Sequence, residues 1–194
     1  MKLFESNMDR AKDLVNTSIT LRRVTTPVVD LDDLLRAALV QGVSTFDHYI
    51  HEEVLARMIE IYGSVRPSVQ GFEDFRISIN SLRVAQAHGG TSWLESEIRS
   101  QHRLRTFQQP EKIAEVFRCV SNASLWNDVA HILKRPVADV KIQLKLVVDR
   151  RNKIAHESDM DPTPPRERYP ITDSLVTTSL DFLDAIAHAI LTIV

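Results

Sequence analysis

The chain has 194 residues, 43% of them hydrophobic, which is enough for one domain with its own core. Charged residues make up 26% with both signs mixed, Gly numbers only five, and a net charge of -2 supplies no global field for a polyanion. These figures exclude a disordered or β-rich chain and a broadly basic nucleic-acid binder, so any polyanion contact must come from a local patch.

The opening MKLFESNMDRAKDLV carries charges where a secretory signal needs a continuous apolar stretch, and reads as a first helix with a lead-in over 1–29. From 30 to 62, Leu35, Leu39, Val43, Phe46, Ile50, Val54, Met58 and Ile61 recur at gaps of three or four, which predicts one long amphipathic helix. Pro27 and the acids Asp30, Asp32 and Asp33 mark its start, and Gly63 with Pro67 beyond marks its end. A shorter helix is expected over 72–86, closed by Gly89 and Gly90, and another from Ser92 to about 107.

Pro110 suits the first turn of a helix reaching 120, a short helix spans 124–133, and Pro136 suits the first turn of the next. The run DPTPPRERYP (161–170) has four prolines and must be a surface crossover. After it, Val176, Leu180, Leu183, Ala187, Ile190 and Val194 predict a final helix with a broad apolar face. Its most apolar stretch, AIAHAILTIV, is ten residues long and follows Asp181 and Asp184, short of a membrane span. The expectation is a single all-α domain of long antiparallel helices with short accessory helices. A lone Cys119 gives no disulfide, and a soluble, cytoplasmic protein is the simplest reading.

The helix after Pro136 carries an anomaly. Val137, Val140, Leu144 and Val147 mark one face, and the next position on it is Arg151; the neighbouring row runs Val148, Asn152, His156. Two apolar rows turn polar together in the last turns. An Arg on such a face has to pair, reach solvent, or meet an anion. A bland account also exists, because Lys145, Arg150, Arg151, Lys153 and His156 suit the negative end of a helix dipole.

The string VVDRRNKIAHE (147–157) resembles the signature of the HEPN superfamily: an Arg, four to six residues, then a His, with a polar residue after the Arg. Arg151, Asn152 and His156 match it. DLLRAALVQGVSTFDHYIHEEV (33–54) is similar to the early long helix of the RiboL-PSP-HEPN subgroup. So is SLWNDVAHILKRPVADVKIQLKLVVDRRNKIAHESDMDP (124–162), including Trp126 before the motif and Asp159 after it. The resemblance covers the chain from about residue 30 onward.

It implies a HEPN-type bundle and a metal-independent endoribonuclease with no cofactor, in which two copies of the chain bring their motifs together. Such enzymes act as toxins or as defence or stress effectors, so the implied partners are RNA, a second copy, and an antitoxin or other regulatory protein. The chemistry suits the residues. RNA carries its own nucleophile in the 2′-OH, a His exchanges protons near neutral pH, and a permanently charged Arg holds a phosphate in two-pronged fashion. The products would be a 2′,3′-cyclic phosphate and a 5′-OH. Asn152, one turn before His156, would orient the imidazole or donate to the phosphate.

At about 100° per residue, Arg151 and His156 lie about 140° apart, so either the helix distorts or the partner copy completes the site. Arg150 is an alternative start to the motif and, with Lys153, is expected to guide RNA; Asp47 is a supporting acid. A competing function is a non-catalytic HEPN module that binds RNA or protein. His48, His51 and Glu52 have a spacing that suits a metal, but no further ligand cluster accompanies them, and no metal site is assigned. The basic run 99–105 is diluted by Glu95 and Glu97, and Trp93 and Trp126 read as core.

Overall fold

The structure is a computed structural model that describes residues 1–26 and 28–194. The described residues form helices and connecting segments without a strand, apart from one isolated antiparallel bridge between Met160 and Arg168. Pro27, read as a marker for the start of the long helix, lies outside the described residues.

The long apolar period becomes α2 (Asp32–Tyr62), the central helix of the bundle. It buries residues on more than one side, including Leu35, Leu39, Val43, Phe46, Ile50, Val54 and Met58, because other helices surround it. Those neighbours are α1 (Lys2–Val24), α5 (Ser92–His102), α6 (Pro110–Phe117), α8 (Val137–Glu157) and α9 (Asp173–Ile193). The short α7 (Leu125–Ile132) fills the space against α8 and α9. Gly42 sets the closest approach: a Cβ there would stand 2.1 Å from Leu180 Cδ2. The missing side chain is therefore what lets α2 and α9 meet at this level.

The crossover ends at α9, where Thr172 caps the helix by accepting the Leu175 N–H at 3.2 Å. Val176, Leu180, Leu183, Ala187 and Ile190 are fully enclosed, and the Tyr49 hydroxyl donates to Ala187 O at 3.1 Å. As a whole helix, α9 is long and apolar enough to cross a membrane, which the ten-residue terminal stretch did not suggest. Half of that span is nonetheless buried within the bundle. Lys12 of α1 ties its outer side through Asp181 and Asp184 at 3.0 and 3.6 Å.

The accessory region departs from the expected single helix over 72–86. It is two helices, α3 (Gln70–Glu73) and α4 (Ile79–His88), separated by extended backbone. The cause lies in α5. Buried Glu97 accepts the Ser78 N–H at 3.2 Å, the Ser78 hydroxyl at 3.0 Å and the Ser81 hydroxyl at 2.5 Å, so Ser78 is held as an N-cap rather than a mid-helix residue. Gly89 closes α4 with φ 62°, a left-handed conformation that glycine adopts without strain. α5 stops at His102 rather than near 107, and α6 stops at Phe117 rather than 120. Trp93 and Trp126 are both buried, and the Trp126 indole donates to Pro110 O at 2.7 Å.

Candidate functional site

α8 supplies the motif. Val140, Leu144, Val147 and Val148 bury its first four turns against α2 and α7, and the same faces then present Arg151 and Asn152 half-buried. α8 stays helical through Glu157, so the helix does not distort between Arg151 and His156. Arg151 turns inward toward α2, whereas His156 is exposed.

The Arg151 Nε is buried and has no hydrogen-bond partner. Burial pushes the guanidinium pKa down, and the charge of Asp47 on α2 offsets this only in part. No carboxylate forms an ion pair with it among the described residues. A desolvated cation without its own acid is expensive, and the arrangement favours any anion that can reach it. Asn152 and His156 likewise make no side-chain hydrogen bond among the described residues.

Asp47 stands near the motif, but both its oxygens already have donors. The Phe107 N–H reaches Oδ1 at 2.6 Å and the Gln108 amide reaches Oδ2 at 3.1 Å, with His51 Nε2 at 3.9 Å from Oδ1. Its visible task is to anchor the segment after α5, and it acts on Arg151 through its field rather than by a fork.

Arg150, expected to guide RNA, is instead held in a buried knot, because its side chain meets the one fully enclosed acid near the helix end. Asp159 Oδ2 accepts from Arg150 Nη2 and from Arg36 Nε of α2, each at 2.8 Å, and Asp159 itself is 0% exposed. Arg150 also donates to the carbonyls of Tyr169 and Pro170 at 3.1 and 3.0 Å, and its guanidinium lies over the Tyr169 ring. Lys153 Nζ sits 4.5 Å from the centre of the same ring, a cation–π contact that draws it toward the crossover. Tyr169 N–H donates back to Asp159 O at 2.9 Å. The end of α8, the crossover and α2 are thereby fastened at one point.

The sequence reading missed Arg36 as a member of this site. It is 6% exposed, yet its local acids Asp32 and Asp33 make it look like an ordinary surface residue of a first helical turn. It also missed a cluster beside Asp47. His51, His102 and Phe107 pack ring against ring, with centroids 4.5 to 5.7 Å apart. Burial, with help from His51 and Arg105, pushes His102 down to about 4, and burial lowers His51 as well. The metal-like spacing of His48, His51 and Glu52 does not converge: Glu52 is forked by Arg99 at 2.6 and 3.1 Å, while His51 is engaged with the rings. Among the described residues no group of three or more His, Cys, Asp or Glu is placed to hold a metal. No family model, curated protein or solved structure matches the chain.

Proposed function

We propose that this chain is a HEPN-type endoribonuclease that cleaves RNA without a metal, at a site shared between two copies. The observation that carries the reading is the half-buried Arg151, with an unpartnered Nε and no acid of its own, beside half-buried Asn152 and five residues before the exposed His156. A phosphodiester would supply the missing counter-charge. In the reaction, the 2′-oxygen attacks phosphorus and loses its proton to one His156. The 5′-oxygen leaves with a proton from the His156 of the other copy, and no water enters. Arg151 stabilises the negative charge that grows on the phosphoryl oxygens, and Asn152 orients the phosphate or the imidazole.

Because Arg151 and His156 diverge within one copy, a second motif is the natural source of the complementary group. Exposed apolar residues on α8 itself support this reading. Ile142 and Leu146 are 56% and 63% exposed, and Leu175 of α9 is 41% exposed beside a groove of about 490 Å³ that also reaches Val147 and Arg150. Large exposed apolar residues in a row on the motif helix suit a two-fold contact. The same divergence favours, as second reading, a module that binds RNA or protein without cutting.

A cytoplasmic toxin or defence effector, held in check by a regulatory protein, is the setting proposed for the nuclease. Incubation of the purified chain with total RNA in EDTA, wild type beside His156→Ala, decides between the readings. Cleavage by wild type alone, leaving 5′-OH ends, is expected. Equal cleavage by both variants, or none by folded wild type, removes this active site.

A further inference from the structure

We infer that the cleft between α2 and the C-terminal turn of α5 binds the backbone of a single RNA strand next to the scissile phosphate, with Arg103 and Arg105 as its phosphate contacts. The inference rests on the ribonuclease reading and names where its substrate lies. The cleft has a volume of about 840 Å³, and Asp47 is part of its wall. The same Asp47 carboxylate acts electrostatically on Arg151, so the cleft and the motif arginine share this acid.

Its charges sort themselves by partner. Of the arginines near the end of α5, Arg99 is neutralised by Glu52 and Glu95, the latter at 3.0 Å. Arg103 and Arg105 are exposed and make no ion pair among the described residues. The acids of the cleft are already engaged, Glu52 by Arg99 and Asp47 by the Phe107 N–H and the Gln108 amide. In a chain of net charge -2, this leaves a local cationic rim where the sequence showed only a diluted basic run. Its wall includes the half-buried His51 ring, backed by the buried rings of His102 and Phe107, so part of one ring is open to an unstacked base. A concave site with a partly exposed ring in its wall and cations at the lip fits one strand. A duplex, with its bases stacked inside, offers it nothing but phosphates.

The test uses the full chain carrying His156→Ala, so that RNA survives, and a fluorescent single-stranded RNA of about 12 nucleotides titrated over a range of salt. Adding Arg103→Ala and Arg105→Ala is expected to weaken binding about tenfold and to flatten the log–log salt slope by about 1.4, or about 0.7 per lost contact. Arg103→Lys with Arg105→Lys should keep the slope, which separates charge from folding. Unchanged affinity and slope in the Ala variant would overturn the cleft while leaving cleavage by the parent chain unaffected. Equal competition by a duplex RNA of the same length would overturn the single-strand assignment. If the cleft variant loses RNA but the chain with His156 intact cuts nothing, the cleft stands and the nuclease reading falls.

Discussion

Replacing Asp159 by Asn removes one charge from the knot that fastens the motif helix, and its cost can be worked from the structure. Asparagine tolerates the φ of 60° at this position and keeps the shape, so the change isolates the carboxylate charge. Arg36 and Arg150, whose side chains are 7% and 18% exposed, then face one another without the anion that joins them. Breaking a buried ion pair by losing one partner costs about 3–5 kcal/mol. Arg36 retains Asp33 at 3.3 Å and Tyr169 O at 3.2 Å, and Arg150 retains two carbonyls, which places the loss at the lower end, about 3 kcal/mol. At about 2–4 °C per kcal/mol for a chain of this size, Tm should fall by about 6–12 °C. Urea denaturation and calorimetry measure both quantities. Adding Arg36→Met, which removes one of the two stranded cations, should restore part of the loss as a coupling in a double-mutant cycle. A loss below about 1 kcal/mol for Asp159→Asn, or no coupling to Arg36, would refute the claim that this charge holds the helix end.

The His102 proton gives a stability prediction with a definite sign. Its folded pKa of about 4 lies below the ordinary histidine value of 6.5, so between these pH values the unfolded chain binds the extra proton. Its contribution, about 2 kcal/mol after allowance for water in the cleft, is complete above pH 6.5 and lost as pH falls toward 4. Urea midpoints for wild type and His102→Gln should therefore converge on acidification, and parallel curves would contradict it. Leu146→Glu should convert a dimer to a monomer in sedimentation velocity and abolish cutting with the fold intact, whereas a wild-type monomer at micromolar concentration would defeat the shared site. His156→Ala should abolish cutting yet leave RNA affinity nearly intact, while Arg151→Ala should damage both and flatten the salt slope by about 0.7. Unchanged affinity and slope for Arg151→Ala would restrict Arg151 to the transition state or to assembly.

What was legible in the sequence is what neighbouring residues decide. The gaps of three and four in α2 and α9 specify an apolar face without reference to anything distant, and the polar interruption at Arg151 and Asn152 is visible on the same spacing. The break between α3 and α4 was not legible, because it depends on Glu97 reaching back 19 residues to the Ser78 N–H. The period continues through 72–86 as though one helix ran there, and a single carboxylate captures Ser78 as a cap instead. Arg36 was hidden for the same reason, since its decisive partner lies 123 residues further on.

Arg150 and Arg151 show why the motif alone could not assign its own residues. They are adjacent, identical in chemistry, and turned from each other by about 100° around α8. That rotation brings Arg150 to Asp159, Tyr169 and Pro170, whose oxygens all accept from its Nη2. It brings Arg151 toward Asp47, whose two oxygens are already taken by the segment after α5. One arginine is therefore paired with a carboxylate by the fold, and the other forms no ion pair among the described residues. The anchoring of Phe107 and Gln108 by Asp47 thus holds the cleft wall in place and commits to an N–H and an amide the acid whose field reaches Arg151.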